Sequence, residues 1–337
     1  MNDGMKTVAP TRRTLSYRLS GATSAHSRRR MRTGRFVALA LCLVWLGGCA
    51  ANHFLVHPSQ PAPEVIVWSA DFVRDQIQVH LEGARPPGAG PFPAVIVHPE
   101  EEEPAAAMHG ILWELAARGY VAIAVDYERW IEGKYRRSYY TWKTAADLTV
   151  SLELTKEYPQ IDQARIGALG FSEGAVLSLF LAEYEPDRIK AVVAYYPIVD
   201  FPEWYKSERG GLWPRILFGL ARWQLRSDAR TDDEEEFQKQ MRLASPLFMA
   251  EYVRAPVLLV HGDQDTLAFP SESERMYESL KAGGTTTKLL IVPGGERLFN
   301  FYQPQQAKIA WDATLEWLDR YLPPKPSGAS ATTVGAQ

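Results

Sequence analysis

The sequence predicts an α/β domain whose mostly parallel sheet is covered by helices on both faces, and three observations carry that expectation. Strand-like and helix-like segments alternate along most of the chain. The strand-like ones are short, continuous apolar runs, as expected for strands buried on both faces. The first helix-like one, Pro104 to Arg118, has proline near its start and Gly119 as its stop. Alternation of this kind feeds each strand through a crossover helix into a parallel neighbour, and chemistry then belongs at the carboxyl ends of the strands.

The elements follow in order. Gln76 to Glu82 places Ile77, Val79 and Leu81 on one face, a half-buried strand with period two. Pro93–His98 and Tyr120–Asp126 are continuous apolar runs, and Pro104 to Arg118 forms the helix between them, with Gly119 as its stop. Ser138 to Tyr158 is a longer helical stretch. A strand at Arg165–Gly170, a helix at Glu173–Tyr184 and a strand at Lys190–Tyr196 come next. The strand Pro256–His261 precedes a helix near Ser271–Lys281, Lys288–Val292 is another strand, and an amphipathic helix at Gln305–Tyr321 closes the domain. Residues 201–244 interrupt the rhythm with aromatic residues (Trp204, Trp213, Phe218, Trp223) and the acidic run Asp232–Glu236. They have two readings: a cap over an apolar pocket, or packing against the domain edge. The exposed aromatics also suit contact with a membrane.

Composition excludes several classes. The 337 residues are 46% hydrophobic and 23% charged, which is not a disordered or fibrous chain. Two cysteines exclude a disulfide framework and a cysteine-rich zinc module. Residues 1–48 hold nine Lys/Arg and one acid, leaving 28 bases and 39 acids in the remainder, a body about 11 charges negative. That is a poor match for nucleic acid.

The basic head reads as targeting. Arg28 to Arg35 is followed by an apolar run from Phe36 to Leu46, the order of a secretory signal and too short for a comfortable span, which takes about 20 residues. It ends Leu46-Gly47-Gly48-Cys49, which resembles a bacterial lipobox with Cys49 as the lipidated residue. The expected organisation is a signal at 1–48 (with Met31 a natural start), a tether at 49–64, the domain at 65–322 and a disordered tail at 323–337. The protein is expected in the cell envelope, facing the periplasm on a lipid anchor.

Gly170-Phe171-Ser172-Glu173-Gly174 matches G-x-S-x-G, with a strand before it and a helix after. The spacing serves a strained strand-to-helix turn that exposes the serine hydroxyl and needs small residues on either side. The backbone N–H of Glu173 would be one oxyanion donor. From about Phe92 to Tyr321 the chain resembles α/β-hydrolases of the dienelactone hydrolase and prolyl-oligopeptidase kind. The resemblance is carried by Tyr158 to Ser172, by Ser245-Pro246 with Ala255 to Asp265, and by Val292 to Phe299. It implies the α/β-hydrolase fold with a cap-like insertion, Ser172 as nucleophile and Asp265 as triad acid, with Asp263 and Asp200 as weaker alternatives. It implies a small ester-like substrate and no cofactor.

Two positions depart from that pattern. The family's loop usually reads Pro-Gly-x-Gly-His-x-Phe, and on Pro293 to Phe299 the histidine position is Arg297. All seven histidines (His26, His53, His57, His80, His98, His109, His261) precede Asp265, so a Ser…Asp…His order cannot be completed. A guanidinium stays protonated and has no acceptor, and loss of a triad member costs roughly 10⁴–10⁶ in rate. A bidentate Arg297–Asp265 pair would fill the base position. The second departure follows His98, where Pro99 has no N–H to give and Glu100 to Glu103 follow. Glu100 is the residue of that run to associate with the oxyanion region or with the nucleophile's proton. His98 is the candidate substitute base and His109 a weaker one. No metal-ligand spacing is present. Two functions therefore compete: a hydrolase-derived envelope lipoprotein that is catalytically impaired and binds a ligand, and an active serine hydrolase on an ester, lactone, thioester or peptide.

Overall fold

A computed structural model describes residues 56–324, apart from 75–76, 101–102, 127–128, 132–133, 137–147, 149–150 and 209. The signal, Cys49 and the tail beyond 324 lie outside the described residues, as does most of the helical stretch expected at 138–158. Asn52–Gln337 forms one compact unit.

Eight strands make one sheet. In chain order they are β1 (Ile66–Arg74), β2 (Ile77–Arg85), β3 (Phe92–His98), β4 (Val121–Asp126), β7 (Ile161–Phe171), β8 (Ile189–Tyr195), β9 (Val257–Gly262) and β10 (Thr287–Val292), with a separate small hairpin of β5 (Arg129–Ile131) and β6 (Lys134–Arg136). The order across the sheet is β1-β2-β4-β3-β7-β8-β9-β10. Within this sheet β1–β2 and β2–β4 pair antiparallel, and the remaining pairs, from β4 across to β10, are parallel. The central strands are buried throughout, with Ala94 to Val97 and Val257 to Val260 fully inaccessible, which is why they read as unbroken apolar runs. The edge strand β1 was not foreseen. It is paired on one side only, and Ile66 and Val67 stay 39% and 49% exposed, so no core face imposes a clean pattern on it.

The described residues include helices α1 (His109–Ala117), α2 (Glu173–Tyr184), α3 (Phe201–Lys206), α4 (Leu212–Ala229), α5 (Glu234–Leu243), α6 (Pro270–Ala282), α7 (Phe299–Tyr302) and α8 (Pro304–Tyr321). A 3-10 turn at Ala105–Met108 leads into α1, and Gly119 at φ 101° ends its turn. Helices cover both faces of the sheet. One core joins Ile96, Ile123 and Val192 to Leu179 and Phe180 of α2 and to Met276 of α6. The other joins Val95, Val97 and Val193 to Ile111 and Leu115 of α1 and to Trp311 and Leu318 of α8.

The insertion after β8 folds as α3 to α5 around a small core of its own, in which Trp204, Phe218, Leu225, Phe237 and Met241 are buried. Trp204 and Phe218 meet edge to face at 4.8 Å in that core. The acidic run has a local reason: Asp233 caps α5, accepting from the Glu235 and Glu236 amides at 2.8 and 3.2 Å. Glu234 to Glu236 then stand in the first turn, where the helix dipole favours negative charge. The insertion is fastened to the loop after β9 by the Trp204 indole, which donates to the Leu267 carbonyl at 2.9 Å.

Candidate active site

Ser172 stands between β7 and α2 with φ 54° and ψ −113°, a conformation outside the regions ordinary side chains favour. Two features hold it there. Its N–H donates to the Tyr195 carbonyl at 3.0 Å, and its own carbonyl accepts from Ala175 and Val176 at 3.0 and 3.2 Å. A side chain at Gly174 would collide with the backbone carbonyls of His98 and Pro99. The end of β3 therefore lies directly on the first turn of α2, and only glycine admits that approach. Glu173 is the first residue of α2, where helix amides have no partner within the helix and face an approaching anion.

Asp265 lies in the loop after β9 and is 3% exposed. Its Oδ1 accepts from the Leu267 and Ala268 amides at 2.9 and 3.0 Å, which aims Oδ2 at the next loop. The two alternative acids have other tasks. Asp263 accepts from the Gly294 amide at 2.8 Å and clasps the loop after β10. Asp200 caps α3 through the Glu203 amide at 3.0 Å and accepts from Arg275 at 2.9 Å.

The Arg297 guanidinium is wedged between acid and nucleophile. Its Nη1 donates to Asp265 Oδ2 at 3.1 Å and to the Tyr196 carbonyl at 3.1 Å, while Nη2 donates to Ser172 Oγ. The expected pair with Asp265 is present, but it is single rather than bidentate, because the other arm of the fork reaches the serine. Burial works against both charges. The Arg297 charge, with His261 and the Leu267 amide, outweighs that burial and holds the Asp265 carboxyl below its ordinary range. Asp265, Glu100 and Tyr196 in turn hold Arg297 protonated. Glu100 is thus close enough to act on the guanidinium by its charge; Glu101 and Glu102 lie outside the described residues.

His98 is corrected as a base. It is fully buried, its Nδ1 pairs with Ser178 Oγ of α2 at 2.7 Å, and burial pushes its pKa down to about 3. An imidazole so reluctant to take a proton cannot serve near neutral pH. His109 is also elsewhere, with its Nε2 3.1 Å from Glu82 and its ring stacked on Trp113.

Two supporting residues were not foreseen. Tyr196 has φ 42°, offers its carbonyl to Arg297 and lays its ring under the guanidinium at 4.9 Å; its hydroxyl donates to Asn300 at 2.5 Å. The aromatic pair Tyr195-Tyr196 at a strand end was the available signal. His261 is buried 3.6 Å from Asp265 Oδ2, held by Ser273 at 2.7 Å and the Ala268 carbonyl at 2.8 Å. Its place at the end of β9, four residues before the acid, was the signal there.

The chemical consequence is direct. Arg297 fills a lone pair of Ser172 Oγ and offers no acceptor, so the serine proton must be directed away from the position where a base would stand. Ser172 O–H, Arg297 and the start of α2 are all donors. Among the described residues, no group of three or more His, Cys, Asp or Glu could hold a metal ion.

The site can now be set beside known proteins. A model of the prolyl oligopeptidase family matches residues 111–325. Dipeptidyl-peptidase 5 of Porphyromonas gingivalis is 24% identical over 218 residues, 62% of this chain and 30% of that protein; the chain thus spans less than a third of that relative's length. A putative carboxymethylenebutenolidase of Methylorubrum extorquens is 22% identical over 71% of this chain and 75% of its own. Among solved structures, a putative dienelactone hydrolase from Klebsiella pneumoniae superposes with a TM-score of 0.56 at 22% identity, over 76% of this chain and 99% of that one. These likenesses fix the fold: an eight-stranded, mostly parallel α/β-hydrolase sheet.

Proposed function

The chain belongs to the prolyl oligopeptidase family, and from that premise we propose that it is a dienelactone-hydrolase-like envelope lipoprotein, descended from an ester or acyl hydrolase, whose Ser172 centre is catalytically impaired and serves to bind a ligand. One observation carries the reading: a guanidinium, which cannot accept a proton, occupies the space between Ser172 Oγ and Asp265 Oδ2. In a working centre the base takes the serine proton as the oxygen attacks. Here the same oxygen accepts a hydrogen bond from a permanent cation, and the acid that would orient an imidazole is spent on neutralising that cation. The elbow geometry is intact, so the donors of Ser172, Arg297 and the start of α2 suit an uncharged acceptor such as a carbonyl or ester oxygen. Glu100 and Asp265 leave the site without surplus positive charge to hold an anion.

The proposed lipid anchor rests on Leu46-Gly47-Gly48-Cys49 and places the protein in the cell envelope facing the periplasm. Metabolic labelling with palmitate should tag the wild type and not Cys49→Ser; equal labelling of both removes the lipoprotein reading.

The enzymatic reading is tested with a fluorophosphonate serine probe. Wild type and Ser172→Ala should both stay unlabelled, and Arg297→His should label, since the imidazole would enter a site already furnished with Asp265. Labelling of the wild type that disappears in Ser172→Ala would show an activated serine and establish an active hydrolase with an unrecognised base.

A further inference from the structure

The insertion carries a surface that the Ser172 centre does not use. On α4, Leu212, Ile216 and Trp223 are 71%, 42% and 58% exposed, and at about 100° per residue they fall within roughly 40° of one another. Phe218, Leu225 and Ala229, on the far side of the helix, are buried in the insertion's core. Between the two stripes lie Arg215, Arg222 and Arg226. Arg226 is 3.0 Å from Glu234. Arg222 lies over the rings of Tyr205 at 4.6 Å and Phe218 at 5.5 Å, and neither it nor Arg215 has an ion-pair partner among the described residues. These two arginines line an open cleft of about 370 Å³ together with Ser207, Glu208, Phe218 and Gly219.

An exposed apolar ridge flanked by unpaired arginines is the pattern of a helix that lies in a membrane interface. We propose that α4 docks on a bilayer containing anionic phospholipid, with Leu212, Ile216 and Trp223 in the headgroup–acyl boundary and a lipid phosphate in the cleft between Arg215 and Arg222. Charge complementarity selects this occupant. The body is about 11 charges negative, yet this outward ridge is edged by arginine. Glu208 also lines the cleft, and Glu234 in the first turn of α5 is answered by Arg226. With a Debye length of about 8 Å, an anionic surface senses the groups at the contact rather than the net charge of the body. The apolar run Phe36–Leu46 ahead of the domain supplies a means of bringing the chain to a bilayer. The proposal does not depend on it, since α4 is a separate contact.

The test uses the full chain with vesicles of brominated phosphatidylcholine, with and without phosphatidylglycerol, and reads the fluorescence that Trp223→Phe removes. That component should be quenched in the phosphatidylglycerol vesicles and several-fold less in phosphatidylcholine alone. Arg215→Ala should lower the partition constant onto phosphatidylglycerol vesicles by roughly five-fold, the effect of one arginine at an anionic surface. Because Arg215 is exposed, that variant should fold as the wild type does, which its melting temperature checks; Arg222→Ala should act in the same direction. A Trp223 component left unquenched in anionic vesicles overturns the proposal, whether or not the chain floats with them through its amino-terminal segment. If glycerol phosphate raises the melting temperature in an Arg215-dependent way while Trp223 stays unquenched, the cleft is a small-anion site and membrane docking is wrong.

Discussion

The turn at Ser172 and the loop at Arg297 meet at one oxygen atom, yet the two tie side chain to backbone to very different degrees. At the turn, backbone and chemistry agree: Ser172 holds φ 54°, and the end of β3 touches Gly174. At the loop the shape is set without the side chain at 297. Gly294 at φ 70° and Leu298 at φ 64° shape it, and a side chain at Gly262 would collide with the Gly295 carbonyl. Asp263 and Gln264 stitch the two loops together through the Gly294 amide at 2.8 Å and the Gly295 carbonyl at 2.8 Å. None of these contacts involves the side chain at 297. The fold thus specifies where that side chain must go without specifying what it must be. At 172 the geometry that the fold needs and the geometry that the chemistry needs are the same.

If that contrast is right, exchange of one side chain in the loop should matter more to chemistry than any change that leaves the loop's backbone alone. Arg297→His should show the largest effect, a gain in probe labelling toward the roughly 10⁴-fold that a triad base contributes. No gain in a folded variant would mean that the loop backbone, too, is unsuited. Asp265→Asn comes next. It leaves a buried guanidinium without its counter-charge, and chemical denaturation should find about 3–5 kcal/mol lost. Gly174→Ala tests the turn and should destabilise by about 1–3 kcal/mol or more, because backbone carbonyls cannot yield as side chains do.

A pH series sharpens the same comparison. Asp265 is held below its ordinary range, so its contribution is complete above the unfolded value and fades as pH falls through the lower folded one. In Arg297→Met the buried carboxyl loses its counter-ion. The deficit against wild type, read from urea midpoints, should be large at pH 7 and shrink in acid; a constant deficit would mean that packing rather than charge sets it.

The smallest effect lies away from both loops. Glu183 on α2 is 4% exposed, neither of its carboxyl oxygens has a hydrogen-bond partner among the described residues, and burial pushes its pKa well above the ordinary value. Its unfolded form ionises first as pH rises, so wild-type stability declines from the usual carboxylate range upward. Glu183→Gln should remove that decline and raise stability by about 1 kcal/mol at pH 8, on the scale of an unpaired buried polar group. No change in the slope would mean that Glu183 is not the group responsible.

Much of this was legible in the residues. The helix Glu173–Tyr184 and the strands around it follow from apolar runs and from G-x-S-x-G, signals that are local because a buried parallel strand is apolar at every position. Arg297 was legible by its spacing from Pro293 and Phe299. His98 misled. A strand end alternates faces every residue, and nothing local told whether the imidazole would face the pocket or, as it does, Ser178 of α2. Tyr196 was hidden for another reason: it contributes a backbone carbonyl and a ring face, and any residue carries the first.

What the sequence determined by itself is the order of elements, the serine at its elbow, the acid after β9 and the absence of any histidine beyond it. Each of these is a matter of residue identity along the chain. What tertiary structure decided is direction. It set the fork of Arg297 across Asp265, Tyr196 and Ser172, turned His98 inward, and split the insertion's aromatics between a buried core and the exposed ridge of α4. Direction depends on which neighbour offers an acceptor or excludes water, and those neighbours come from strands and loops distant in sequence.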